Sequence, residues 1–258
     1  MTRRVFLSQA AAACGVGFAA GTEHLIFVSM EGGPSHTDLF DFQAGPWTPD
    51  WMDPVRGFSP GFPRGLMPAL AGHLNEIRLV RGLRAASRDH RVALSAHPAC
   101  DVSLRADRAS FIDACAEARG LAAWHRSIRI DFGSWDHHGN LYENLRPMCA
   151  AFDRGIARLI EGLKRDRRDV RVVAMGEFGR TPGPLNQNRG RDHHPVHAAL
   201  TWSAERGELR RLGFISISRA GDGGPLSLKK SRLAIQEFYR SRWLIHLDRR
   251  CHTPVRLE

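Results

Sequence analysis

The sequence predicts an α/β fold with a mainly parallel central sheet flanked by helices. Three short apolar runs, at 24–30, 127–132 and 170–175, each end in a glycine-containing turn, as buried parallel strands do. Between the second and third runs, Leu145, Met148, Phe152, Ile156, Leu159, Ile160 and Leu163 recur at helical spacing and define an amphipathic helix. Strand, helix, strand in that order is a crossover unit, which places its strands parallel and its connection right-handed. The chain has 258 residues, 43% hydrophobic and 25% charged. It is long enough to bury a sizeable core and too apolar to be disordered. The length fits one domain of ordinary size or two small ones.

The remaining elements follow in chain order. After the first strand comes Glu31-Gly32-Gly33-Pro34-Ser35-His36, and then 42–65, rich in Pro, Gly and Trp, which reads as an irregular loop. Residues 67–74 read as a short helix and 77–80 as a second strand. Residues 108–124 have helical spacing, with Phe111, Ile112, Cys115 and Leu121 on one face. Beyond the crossover unit, 198–202 and 213–217 read as further strands and 233–245 as a helix.

The formal net charge of +10 is almost entirely arginine, with lysine only at 164, 229 and 230. The basic residues are scattered, and neither 165–168 nor 228–230 is interleaved with aromatics. A nucleic-acid surface needs a stripe or patch, so no nucleic-acid partner is expected. The five cysteines, Cys14, Cys100, Cys115, Cys149 and Cys251, contain no C-x-x-C pair, which argues against a thiolate zinc site. Four of them lie beyond the leader and could pair in an oxidising compartment.

That leader is residues 1–22. Arg3-Arg4-Val5-Phe6-Leu7 matches the twin-arginine export signature, and the moderately apolar stretch 10–20 behind it suits a signal segment. It is too short for a transmembrane helix, which needs about 20 residues. The expected partner is the twin-arginine translocase and the expected location is periplasmic or extracytoplasmic. Residues 23–258 are then one domain.

Acids and histidines gather where the strands end. Ligands of open α/β sheets bind at the carboxyl ends of strands. Glu31 with His36 and Asp38, Asp136 with His138, and Glu177 are thus placed to face one crevice, and Asp192 with His193 lies just downstream. Carboxylates and imidazoles together suit zinc or manganese, and carboxylates alone suit magnesium or calcium. Arg180 would stand beside such ions as a clamp for an anionic oxygen. Each member has a plainer reading. His36 and Asp38 could cap a turn, Glu177 could pair with Arg180, His137 could ligate in place of His138, and 192–194 could be a solvated loop. His90, His97 and His197 read as structural or surface residues.

Four ordered motifs resemble one bacterial family: Gly32-Gly33-Pro34-Ser35-His36-Thr37-Asp38-Leu39-Phe40-Asp41, Gly133-Ser134-Trp135-Asp136-His137-His138-Gly139-Asn140, Gly176-Glu177-Phe178-Gly179-Arg180-Thr181-Pro182 and Gly190-Arg191-Asp192-His193. They are similar to those of the domain of unknown function 1501, which commonly carries a twin-arginine leader and belongs to the alkaline-phosphatase-like superfamily. The resemblance implies an alkaline-phosphatase-like sandwich with a two-metal site at its strand ends. By position, it implies Glu31 as the first-strand ligand, Asp136 and His138 as an Asp/His pair, Glu177 near the later ligands, and His193 as the final histidine. It also implies a hydroxyl nucleophile, for which Ser87 is the nearest candidate and Ser35 another. The chain is shorter than the family, with a stretch wanting between about Asp101 and Ser110, and it departs from the family's pattern after Pro195. The implied activity is metal-dependent hydrolysis of phosphate or sulfate esters, on a small-molecule or polysaccharide substrate. The alternatives are a non-catalytic secreted binding protein that keeps the fold, or a degenerate product that does not fold stably.

Overall fold

The computed structural model describes residues 24–55 and 61–204. The twin-arginine segment, the strand expected at 213–217, the helix expected at 233–245, Cys14, Cys251, Lys229 and Lys230 lie outside the described residues.

In chain order the elements are β1 (His24–Met30), β2 (Ile77–Arg84), β3 (Val102–Ala106), β4 (Ser127–Phe132), β5 (Val170–Met175), β6 (Gly179–Arg180), β7 (His193–His194) and β8 (Val196–Ser203). Four helices accompany them: α1 (Pro68–Ala71), α2 (His90–Leu94), α3 (Phe111–Leu121) and α4 (Leu141–Asp166). Six strands form one sheet in the order β2-β8-β5-β1-β4-β3, and β6 pairs with β7 in a separate two-stranded ribbon.

The expected parallel core is present: β1 pairs parallel with β4 on one side and β5 on the other, and β4 pairs parallel with β3. β8 is antiparallel to both β5 and β2. It follows that β2 runs in the same direction as β5. Every strand of the sheet except β8 therefore delivers its carboxyl end to the same edge. The second strand is longer than 77–80 and carries a register shift between Arg81 and Leu83, where Gly82 is the extra residue of a bulge. The bulge lets Val80 and Leu83 share one face despite their odd spacing. β3 was not legible in the sequence. Its burial alternates only between exposed and half-buried because it is an edge strand.

Strand alternation divides the sheet between two faces. Ile26, Val28, Met30, Ile128, Ile130, Phe132, Val172, Ala174, Leu200 and Trp202 join the larger core with α3 and α4, while Leu25, Phe27, Val173, Met175 and Ala199 line the opposite face. α4 is the crossover helix, longer than its apolar stripe, and ends where Arg167 turns left-handed at φ +53° and the Arg168 N–H reaches the Leu163 carbonyl at 3.4 Å. α3 packs against it closely because Gly155 has no side chain: a Cβ there would sit 2.6 Å from the Phe111 ring. Asp153, on the same helix, accepts the Ala69 and Leu70 amides at 3.0 and 2.7 Å and so caps the short α1. Cys100, Cys115 and Cys149 are free thiols, so the pairing that an oxidising compartment allows is not made among them.

Phe152 holds this layer together. Its ring lies 5.8 Å from Phe40, 6.0 Å from Phe111 and 6.2 Å from Trp135, with all four rings buried. Phe152→Ala is expected to lower unfolding free energy by about 3–5 kcal/mol, read from urea denaturation of the intact chain.

Candidate metal centre

Three turns leave the common edge of β1, β4 and β5, and the β6–β7 ribbon folds over them. Arg180, in β6, stitches them together. Its Nε donates to the Gly33 carbonyl at 2.7 Å, and one terminal nitrogen donates to the Arg191 carbonyl at 3.0 Å and the His138 Nε2 at 3.2 Å. The other terminal nitrogen serves the Gly32 carbonyl and the Asp136 carboxylate. All five N–H donors are engaged and the side chain is 1% exposed. A clamp for a substrate oxygen needs a free donor, and Arg180 has none. Its geometry is that of a structural tie.

Asp136 is the centre of the cluster. Its Oδ1 lies 3.1 Å from His138 Nε2 and 3.6 Å from His193 Nε2, and its Oδ2 lies 3.6 Å from His90 Nε2. The ligand atoms of His90, Asp136 and His193 all fall within 4.8 Å of one another. Burial raises the Asp136 carboxyl pKa, but the hydrogen bond and charge of Arg180 outweigh it, and the net shift is downward. The group is therefore held as the anion.

The tautomers follow from the outer partners. His90 Nδ1 faces a Glu177 oxygen at 2.7 Å, His138 Nδ1 faces an Asp192 oxygen at 3.3 Å, and His193 Nδ1 faces the Arg88 carbonyl at 2.8 Å. Carboxylates and carbonyls only accept, so each Nδ1 carries a hydrogen, and in the neutral ring each Nε2 presents a lone pair. His138 confirms this independently, because Arg180 can only donate to its Nε2. Three imidazole Nε2 atoms thus gather around one carboxylate, that of His138 accepting from Arg180 and lying 3.0 Å from that of His193. Two ring nitrogens at that separation share either a proton or a metal ion. This donor set fits a divalent metal ion, and its outer partners are those that orient metal-bound histidines. Phe178, fully buried, packs against His90 and His193 with ring centroids 4.8 and 4.3 Å away. Gly33, at φ +67°, makes room for that ring, since a Cβ would lie 2.4 Å from it.

Of the residues singled out in the sequence, Asp136, His138 and His193 are brought together, with Asp192 behind His138. Glu177 lies one layer further out, accepting the Gly32 and Gly33 amides at 2.9 and 3.0 Å as well as His90, and it does not pair with Arg180. Three others face elsewhere. Glu31 is drawn to Arg129 at 3.2 Å, its pKa raised by burial and by Asp131. Asp38 is fully buried and held two-fold by Arg191 at 2.7 and 3.3 Å, with Tyr142 donating to it at 3.0 Å. His36 is buried with its Nδ1 accepting the Arg180 amide at 3.2 Å. Ser87 Oγ accepts the Asp89 amide at 3.0 Å, bracing the turn into α2, and Ser35 Oγ donates to buried Asp38.

His90 was not read as a site residue. It follows β2, a strand that looks detached from the crossover unit in sequence but runs parallel to β5 in space. Asp89 caps α2 by accepting the Val92 amide at 3.0 Å, and this fixes where His90 begins the helix.

Fold and site together define an α/β protein with a histidine- and carboxylate-lined cluster at the carboxyl ends of its strands. Residues 70–204 match the family described as protein of unknown function, DUF1501. The chain belongs to that family. The match takes in three of the four motifs and leaves out the one at 32–41. No curated protein matches the chain. Among solved structures, the chain is similar to the C-terminal periplasmic domain of EcEptC from Escherichia coli, at 9% identity and TM-score 0.47, covering 75% of this chain and 76% of that one. The lipooligosaccharide phosphoethanolamine transferase A from Neisseria meningitidis matches at 9% identity and TM-score 0.47, over 81% and 55%. The lipoteichoic acid synthase LtaP from Listeria monocytogenes matches at 9% and 0.40, over 76% and 71%. No helix among the described residues is long and apolar enough to cross a membrane.

Two outcomes follow from this packing. Lysine has three donors on a flexible stem and cannot serve the five acceptors of Arg180, so Arg180→Lys is expected to cost about 3 kcal/mol or more in denaturant unfolding. Burial, the first cause in each case, pulls His36 and His97 down to about 3 and His137 and His197 down to about 4. All four are neutral in the fold but take up protons near pH 6.5 in the unfolded chain. The unfolded state thus binds more protons below that pH, so stability is full above about 6.5 and is lost as pH falls toward 3–4. The urea midpoint is expected to drop between pH 7 and 4.5, with a shallower slope in His97→Gln.

Proposed function

We propose that this protein is an extracytoplasmic, divalent-metal-dependent hydrolase of phosphate or sulfate esters, exported through the twin-arginine translocase. The observation that carries the reading is the convergence of the His90, His138 and His193 Nε2 atoms on the Asp136 carboxylate. Export is supported by the Arg3-Arg4-Val5-Phe6-Leu7 segment, and the ester chemistry by the resemblance to the alkaline-phosphatase-like superfamily.

His90, Asp136 and His193 would hold the ion, with His138 beside them. A set richer in nitrogen than oxygen favours zinc or manganese over magnesium or calcium. When bound, such an ion supplies Lewis-acid polarisation of an ester oxygen. The chain's own groups fix the ligand geometry. Glu177, Asp192 and the Arg88 carbonyl keep protons on the outer ring nitrogens, Phe178 shields the rings, and Arg180 holds Asp136 ionised. One centre is favoured over two, because Glu31 and Asp38 are already committed to Arg129 and Arg191. Ser87, three residues before His90, is the hydroxyl that this reading would test as nucleophile.

A second reading is a secreted protein that binds through the metal without turnover. It is favoured by Arg180, whose donors are all engaged and offer nothing to a substrate oxyanion.

Elemental analysis of the purified chain is expected to find about one zinc or manganese ion per molecule, lost in Asp136→Ala/His193→Ala. Aryl phosphates or aryl sulfates are expected to turn over in the intact protein and not in that double variant. Bound metal without turnover of either ester class would favour the binding protein, and absence of bound metal under all loading conditions would remove both readings.

A further inference from the structure

Three features outside the ligand cluster stand out. One is the polar group of Ser29, His97, Arg129 and Asp131 on the opposite sheet face, which is linked by internal hydrogen bonds and tied to Glu31 through Arg129. Another is the set of buried His36 and His197 with half-buried His194 behind Arg180, which is not among the groups of ligand atoms that come together in the described residues. The third is Glu177, and it carries an inference.

We infer that Glu177 is a positioning residue rather than a metal ligand, and that it selects which nitrogen of His90 faces the ion. The inference rests on the metal-centre reading above and departs from the resemblance, which places Glu177 near the ligands. Its carboxylate is fully buried and accepts three internal hydrogen bonds. Oε1 accepts the Gly32 amide at 2.9 Å and the His90 Nδ1–H at 2.7 Å, and Oε2 accepts the Gly33 amide at 3.0 Å. Gly32 and Gly33, at φ +111° and +67°, aim two successive amides at this one carboxylate. Such a paired-amide concavity is an anion site, and here the chain supplies its own anion.

The arrangement has a direction. The glycine amides fix the carboxylate, the carboxylate fixes the Nδ1 proton, and that proton leaves the His90 Nε2 lone pair pointing at Asp136. A carboxylate in this place also raises the basicity of the ligating nitrogen. His90 needs such a guide more than its partners do. It starts a five-residue helix at the end of β2, whereas His138 and His193 lie within the turn and ribbon that Arg180 secures. Asp192 plays the corresponding part for His138 from a 62% exposed position at 3.3 Å, a weaker hold than that of Glu177.

The test uses the full chain loaded with cobalt(II), whose visible absorption reports the ligand set while titration gives affinity. Glu177→Gln is expected to weaken cobalt binding about 10- to 100-fold and, at saturation, to keep the wild-type band shape. His90→Ala is expected to change the band shape. Unchanged affinity in Glu177→Gln would overturn the inference, as would a band altered in the same way as His90→Ala, which would make Glu177 a ligand. Failure of the wild-type chain to bind cobalt would remove the metal reading itself, a result distinct from either. If Glu177→Gln does not fold, nitrogen-15 NMR of histidine-labelled, zinc-loaded wild-type protein decides the matter. The His90 ring should carry its proton on Nδ1 and be coordinated through Nε2, and coordination through Nδ1 would refute the proposal.

Discussion

The guanidinium of Arg180 is the joint on which this molecule's functional edge depends. β1, β4 and β5 end side by side, but nothing in strand pairing dictates how their turns sit against one another beyond the last ladder bond. Arg180 dictates it. Its planar fork meets carbonyls of the β1 turn, a carboxylate and an imidazole of the β4 turn, and a carbonyl beside the β6–β7 ribbon. A buried charge is tolerable only when its donors are satisfied. Here, satisfying them is the act that assembles the site.

A second buried arginine does the same work one layer behind. Arg191 grips Asp38 with two nitrogens and spends its remaining donor group on the Thr181 and Gly183 carbonyls. Between them, the two arginines engage an acid and a histidine of the first motif and keep both apart from the Asp136 cluster. Asp38 is the counter-charge of Arg191, and His36 is the acceptor that holds the backbone of Arg180. The first motif therefore contributes its glycine amides and its buried ion pair, while the histidines and carboxylate proposed to hold a metal come from the β4 turn, β7 and α2. Around Asp136 the arrangement differs: one arginine faces a carboxylate ringed by three imidazoles, a set of groups that suits a cation.

Much of this was legible beforehand. The parallel core follows from continuous apolar runs ending in glycine turns, and the crossover helix from its apolar stripe, because both patterns are local and read within a few residues. Asp136, His138 and His193 were legible because motif and strand end coincide. Glu31 and Asp38 were legible as acids at strand ends, but not as members of ion pairs with Arg129 and Arg191, residues about 100 and 150 positions away. β3 was missed because its alternation, Val102-Ser103-Leu104-Arg105-Ala106, runs for only five residues and its apolar side is only half-buried.

By itself, then, the sequence determined the α/β class, the strand ends on which polar residues gather, and the chemical types available there. Tertiary structure alone decided which of those residues meet. It brought His90 in from β2, a strand whose direction relative to β5 is set through the intervening β8. It moved Glu177 outward, because the Gly32 and Gly33 amides claim its carboxylate. It also turned Arg180 from a candidate clamp into a tie. The reason is physical: secondary structure is governed by short-range periodicity, whereas a buried charge or imidazole takes its role from whichever acceptors and donors the packed chain places within hydrogen-bond reach.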